Sequence, residues 1–343
     1  MNKIKKLLII FFTISFAHQV FAKDVPESFA DLAERLIPSV VNISTTQTVV
    51  TNVNPFPGFE FPPGSPFADM FKEFGTPQTR KASALGSGFI IDAKGTVITN
   101  NHVIQGAEDI IVRVDGDKEY KAKVIGADPL SDIAVLQIIS KENFIPIKFG
   151  DSDKARIGDW VIAIGNPFGL GGTVTSGIIS ARNRSIGLSR YEDYIQTDAS
   201  INQGNSGGPL FDMSGNVIGI NTAILGKGGS IGIGFSIPSN SAKKIIGQLL
   251  EFGETKRGWL GVRIQVVTKE IADVEKLDKP RGALVASVSE KSPSKKAGIK
   301  AGDIILEFDG TQIKEMKELP KIVAQTEVGK IVEVKVWRNK KEI

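Results

Sequence analysis

The 343-residue chain contains no cysteine. Disulfides, a thiol nucleophile, a lipidated N-terminal cysteine and thiolate metal sites are thereby excluded. Histidine is almost as scarce, with only His18 and His102. An imidazole-rich metal centre has no ligand set here, and no metal is expected. Tryptophan and tyrosine number three each. Extended helical periodicity is rare. In its place stand 36 glycines and many short apolar runs, a pattern that predicts short strands joined by tight turns.

The apolar run from Leu7 to Ala17 is too short to cross a bilayer as a mature helix. Lys3, Lys5 and Lys6 precede it, and Val20-Phe21-Ala22 offers a small-residue cleavage site. Residues 1–22 therefore read as a cleavable secretory signal, with the mature chain starting at Lys23. The sequence pI near 9.0 partly reflects those three lysines, and no nucleic-acid partner is expected. Residues 23–255 hold 20 basic and 25 acidic side chains, whereas residues 256–343 hold 19 and 13. This asymmetry predicts two units, 23–256 and 257–343.

Within the first unit, "ESFADLAERLIPSVVNIS" predicts a short amphipathic helix that switches to a strand at Pro38. Residues 52–75 carry five Pro and six Phe. Disordered linkers are poor in aromatics, so this segment is expected either to mediate contacts between copies of the chain or to lie over the site. From Ala84 to Pro238 the chain reads as short strands, with a hairpin at Ser214-Gly215-Asn216. Many short strands at this spacing point to barrels or a sandwich. A helix follows over 240–252, stopped by Gly253. In the second unit, Ser292 is expected to cap a short helix with Pro293 at its first position. "GLGG" and "GIGF" look like pieces of a dinucleotide loop, but neither is followed by the helix of a βαβ unit. No cofactor is expected.

His102 is the one histidine beyond the signal. A lone imidazole is most often a surface or core residue. It becomes a general base only if a nucleophile and an orienting carboxylate exist elsewhere. "SDIAVL" supplies Asp132 at the head of an apolar run, and "QGNSGGPL" supplies Ser206 among glycines. A serine hydroxyl needs an imidazole to take its proton, and the imidazole needs a carboxylate to fix its tautomer. Glycines around Ser206 allow a tight turn whose Gly204 and Ser206 amides face a developing oxyanion.

"TNNHVI", "SDIAVL" and "GNSGGPL", in this order, resemble the HtrA (DegP/Do-like) family of secreted serine proteases; "GDWVIAIGNPFGLGGTVTSGIIS" and "INTAI…GIGFSIP" add to the likeness. The resemblance implies a mainly β fold, a chymotrypsin-like double barrel followed by a PDZ domain. It also implies His102 as base, Asp132 as its orienter, Ser206 as nucleophile and Gly204, Asn205 and Ser206 as the oxyanion turn. Thr222, Ala223, Ile224, Leu225 and Gly226 would pair with substrate backbone. Ile201 and Ile233 resemble pocket-lining residues that favour Val or Ala before the scissile bond, the alternative being plain barrel core. "RGWLGV" resembles a PDZ carboxylate loop, which assigns peptide C-terminus binding to Trp259, Leu260, Gly261, Val262 and Arg263. The family has a further closing strand beyond such a unit, and often a second PDZ domain, so a truncated or frayed end at Ile343 is expected. A periplasmic endopeptidase acting on unfolded proteins, assembled as a trimer or larger, follows from the likeness. Two alternatives stay open: a protease for one defined envelope substrate, and a chaperone or binding protein with little catalysis.

Overall fold

The computed structural model describes residues 26–51, 78–114, 118–167, 171–187, 191–202, 204–224 and 230–343. The signal segment 1–22, the Phe/Pro-rich segment 52–75, Leu225 and Gly226 lie outside the described residues.

Helix α1 (Ala30–Leu36) runs through a 3-10 turn holding Pro38 into β1 (Val40–Thr51). Then come β2 (Gln78–Ile90), β3 (Thr96–Thr99), the one-turn helix α2 (Asn101–Ile104), β4 (Asp109–Val114), β5 (Lys118–Asp128) and β6 (Ile133–Ile138). The six strands close into a barrel in the order β1-β2-β3-β6-β5-β4. Strands β7 (Trp160–Gly165), β8 (Thr173–Arg184), β9 (Tyr194–Thr197), β10 (Pro209–Phe211), β11 (Val217–Ile224) and β12 (Gly234–Pro238) close a second, ordered β10-β11-β12-β9-β8-β7.

Successive side chains along a strand point to opposite faces, and this rule builds three apolar layers. In β6, Ala134, Leu136 and Ile138 fill the first barrel, while Ile133 and Val135 face the second. In β7, Val161 and Ala163 fill the second barrel, and Ile162 and Ile164 turn back to meet Ile133 and Val135. Both strands are buried on both faces and so read as unbroken apolar runs. Helix α3 (Ser239–Phe252) lays Ala242, Ile246 and Leu249 against this middle layer. It ends where Gly253, at φ 74°, donates its N–H to the Leu249 carbonyl, a left-handed cap that suits glycine.

The second unit contains β13 (Val262–Val266), α4 (Lys269–Glu275), β14 (Ala283–Val288), α5 (Pro293–Lys296), β15 (Ile304–Phe308), β16 (Thr311–Gln312), α6 (Glu318–Gln325), β17 (Val334–Arg338) and β18 (Lys341–Glu342). Its sheet runs β13-β14-β15-β17-β18, with β16 on β15. Ile305, Phe308, Ile313, Leu319 and Val336 form its core. The Ser292 hydroxyl accepts from Lys295 N–H, which caps α5 as its sequence requires. The expectation of a frayed end is corrected: Ile343 exchanges two backbone hydrogen bonds with Val336. Asn339 and Lys340, both at positive φ, make the turn that allows it.

Candidate active site and peptide groove

His102 lies on α2, directly after β3. Its ring Nδ1 is 2.7 Å from Oδ2 of Asp132, and its backbone N–H donates to Oδ1 of the same carboxylate at 2.9 Å. One carboxylate thus fixes both the ring and the turn that carries it. The Asp132 side chain is partly open, at 23% exposure. Asp132 adopts φ 55°, a left-handed conformation that is uncommon for a side-chain-bearing residue. The Asn100 side-chain amide helps hold it, donating to the Asp132 carbonyl and to the Thr222 hydroxyl, each at 2.8 Å.

Ser206 sits between β9 and β10 on the second barrel. The turn around it is tied from within: Asn205 N–H donates to the Asn202 carbonyl, Gly207 N–H to Asn221 and Gly208 N–H to Asn205. Among the described residues the amides of Gly204 and Ser206 have no such partner. Gly204, at φ 97°, lies so close to Pro167 that a Cβ would sit 2.6 Å from the proline ring. Gly207, at φ 83°, would press a Cβ to 2.2 Å from the Ser87 carbonyl and 2.3 Å from the Thr99 hydroxyl. Only glycine lets the Ser206 turn lie this close to β2 and to the residues preceding α2. The Ser206 hydroxyl forms no hydrogen bond to the imidazole among the described residues. Such contacts are often open without substrate.

Beside this turn, β10 pairs with β11 only as far as Ile220, while β12 continues alongside to Ile224. The stretch from Thr222 therefore keeps one edge free of a strand partner. Ile201 is buried in the second-barrel cluster, and Ile233 packs half-buried against the middle layer. For Ile201 this packing agrees with the barrel-core alternative as well as with a pocket floor.

In the second unit, the Leu260 carbonyl accepts from the Ser294 N–H and hydroxyl, and the Gly261 carbonyl accepts from Ser289 N–H. Gly261 is at φ 79°, and Gly258 is seated against the Val323 carbonyl of α6 and the Thr326 carbonyl just past its end. β13 is an edge strand of the sheet. Leu260, Val262 and Ile264 pack half-buried on the same core as Ile322 of α6. Trp259 and Arg263 project outward.

A trypsin-like peptidase domain model matches residues 86–220, and a PDZ domain model matches residues 258–343. The chain is 46% identical over 341 residues to a probable periplasmic serine endoprotease, DegP-like, of Brucella suis biovar 1, covering 91% of this chain and 66% of that protein. A protein of the same description from Marinomonas sp. is 47% identical over 333 residues, covering 94% and 70%. Among solved structures, the HtrA-type protease AlgW with decapeptide superposes with a TM-score of 0.74 at 40% identity, covering 92% of this chain and 96% of that one. The serine endoprotease from Yersinia pestis gives 0.64 at 34%, covering 93% and 96%. The chain belongs to the HtrA-type, DegP-like family of serine endoproteases. It spans about two thirds of the length of the curated relatives it matches.

For this HtrA-type chain the structure brings His102 and Asp132 into contact. It seats the turn of Ser206 against the residues that precede His102. Sequence reasoning missed Ser87, Asn100 and Asn166. The only signals were the glycines flanking Ser87 and the paired asparagines before His102. Arg257 was also missed. Its guanidinium pairs with the buried Asp128 carboxylate, which also receives the Ser131 hydroxyl. Burial pushes the Asp128 carboxyl up, but the hydrogen bonds from Arg257 and Ser131 and the guanidinium charge outweigh it. The group is held below the ordinary carboxylate range. Burial, reinforced by Glu192 and Asp132, pushes the Tyr194 phenol up to about 12.

Proposed function

We propose that this protein is a periplasmic serine endopeptidase that cuts extended, unfolded polypeptide. The observation that carries this reading is the double contact of Asp132 with His102, through ring and backbone, beside a nucleophile turn whose Gly204 and Ser206 amides have no backbone partner among the described residues. In the reaction the Ser206 hydroxyl attacks the scissile carbonyl carbon, and His102 Nε2 takes the hydroxyl proton. Asp132, accepting from Nδ1–H, holds the ring in the tautomer that leaves Nε2 free and stabilises the imidazolium that follows. The carbonyl oxygen becomes an oxyanion between the Gly204 and Ser206 amides. The imidazolium then protonates the leaving amine, and water repeats the sequence on the acyl-enzyme.

The free edge beginning at Thr222 supports pairing with an extended substrate, which a folded helix or sheet cannot offer. Apolar side chains at Ile201 and Ile233 favour a small aliphatic residue before the cut and give no partner to Lys or Arg. The edge strand β13, the half-buried residues Leu260, Val262 and Ile264, and the Trp259–Gly261 loop support capture of an apolar peptide C-terminus by strand addition. A homotrimer or larger assembly, with residues 52–75 contributing contacts, is part of the same reading.

A second reading, a protease restrained for one defined substrate, draws on a specific link. Arg257, at the entrance to the second unit, grips Asp128, and Asp128 binds Ser131, the neighbour of Asp132. Casein digestion by wild type and by Ser206→Ala tests the main reading. Rapid cleavage of unfolded casein after Val or Ala, absent in the variant, is expected. Equal digestion by both proteins rejects it. Cleavage of one envelope protein with casein untouched favours the second reading.

A further inference from the structure

We propose that Ser87 is a positioning residue for the oxyanion turn, acting through the peptide unit that separates the two free amides. The inference rests on the endopeptidase reading above. Ser87 is fully buried on β2 of the first barrel, whereas the turn it grips belongs to the second. Its hydroxyl donates to the Gly204 carbonyl at 2.5 Å and accepts from Asn166 N–H at 2.8 Å. Its own N–H donates to the Ser206 carbonyl at 2.9 Å. Its carbonyl accepts from the Thr99 hydroxyl at 2.7 Å, three residues ahead of His102.

These contacts fix the turn peptide by peptide. The Gly204–Asn205 unit is held at its carbonyl by Ser87 and at its N–H by Asn202. The Ser206–Gly207 unit is held at its carbonyl by Ser87 and at its N–H by Asn221. Between them lies the unit whose N–H is the free amide of Ser206. Gly204 has no Cβ to restrict its dihedrals, so without the Ser87 hydroxyl the Gly204–Asn205 plane is held only at its N–H end and gains freedom to rotate. Rotation there changes the distance between the two amides that receive the oxyanion. Asn166 extends the clamp outward: its carbonyl accepts from the side-chain amide of buried Asn42 on β1 at 2.8 Å. A hydroxyl suits the position because it donates and accepts at once. Alanine leaves the Gly204 carbonyl and the Asn166 N–H without their partner.

The contribution is to the transition state and not to substrate affinity, because the planar ground-state carbonyl lies away from where the oxyanion develops. The test compares wild type, Ser87→Ala and Ser87→Thr on a fluorogenic peptide carrying Val before the cut. Inhibition by the matching peptide boronic acid, whose tetrahedral adduct presents an oxyanion, is measured alongside. Removing a direct oxyanion donor lowers kcat by ~10²–10³, so a lost clamp is expected to lower it by about 10- to 100-fold. KM should hold, the boronate should weaken by a similar factor to kcat, and Ser87→Thr should recover most of both. Ser87→Ala at wild-type kcat, or a loss of kcat without a matching loss of boronate affinity, overturns the proposal. So does a Ser87→Thr protein that melts like wild type yet stays as slow as Ser87→Ala. Failure of the underlying reading looks different: wild type itself then neither cleaves the peptide nor reacts with a fluorophosphonate.

Discussion

Two seams divide this molecule, and they are built from different chemistry. The seam between the barrels is a continuous apolar layer, with Val40, Phe89, Ile98, Ile133 and Val135 from one side and Ile162, Ile164, Phe211, Ile220 and Phe235 from the other. At its edge, buried neutral groups hold the site: Ser87, Thr99, Asn100, Asn166 and Thr222. None of them titrates near neutral pH, and burial keeps salt from screening them. The seam between the protease unit and the PDZ unit is ionic. Arg257 meets Asp128 and lies over the Tyr191 ring, and Lys321 on α6 meets Asp193 at 2.6 Å. These contacts border a cleft lined by Leu130, Tyr194, Ile245 and Lys244. Neutral hydrogen bonds in a packed layer fix geometry to tenths of an ångström. Charge pairs around an open cleft are adjustable by pH, salt and a competing charge. The first seam supports the proposed chemistry, and the second supports the restrained-protease reading.

The largest effects belong at the first seam. Ser206→Ala should lower kcat by ~10⁶, as loss of a nucleophile does, while the melting temperature stays put because Ser206 anchors no core. Asp132→Asn should lower kcat by ~10⁴, since an amide facing Nδ1 selects the wrong tautomer. Steady-state kinetics on a small peptide measures both. If Asp132→Asn turned over within a few-fold of wild type, His102 would be oriented by something other than Asp132.

Next comes the second seam, read as stability. Asp128→Ala strands a guanidinium that is four-fifths buried, and breaking such a pair costs about 3–5 kcal/mol. Denaturant unfolding should register that loss, with Arg257→Ala losing a similar amount. The pair also sets a pH dependence. The folded carboxyl lies below its unfolded value, so its contribution is complete above the unfolded pKa of ~3.9 and drains as pH falls below it. Wild type should therefore lose more stability than Asp128→Ala on acidification through that window, and parallel curves would contradict the pairing. At the alkaline end the Tyr194 phenol, pushed up to about 12, stays neutral in the fold while its unfolded form ionises above ~10, so stability to denaturant should fall as pH rises from there. A smaller loss in the same unfolding measurement is expected at Lys321→Ala, whose pair with Asp193 is less deeply buried than Arg257 with Asp128, and it should shrink in high salt.

The same contrast explains what the sequence made legible. The three proposed catalytic residues sit in short motifs whose chemistry demands Ser, His and Asp, so positions 30 and 74 residues apart stand out in the sequence. Short apolar runs between turn residues marked the strands, and Gly253 marked the end of α3. The struts were not legible. Ser87 reaches Gly204 across 117 positions and Asn166 across 79, and a small polar residue announces no such partner. Helix α4 escaped as well. Its seven residues are too few to show a repeating face, and its Thr268 cap, which accepts from Ile271 N–H, is visible only in three dimensions. The pairing of Arg257 with Asp128 joins two units that composition alone had separated.

We propose Ser206 as the nucleophile activated by the His102–Asp132 pair. The most direct measurement is intact-protein mass spectrometry after fluorophosphonate treatment, with the adduct located by peptide mapping. One adduct per chain is expected, on Ser206, absent from Ser206→Ala and strongly slowed in His102→Ala. An adduct at another serine, or undiminished labelling of Ser206→Ala, contradicts it.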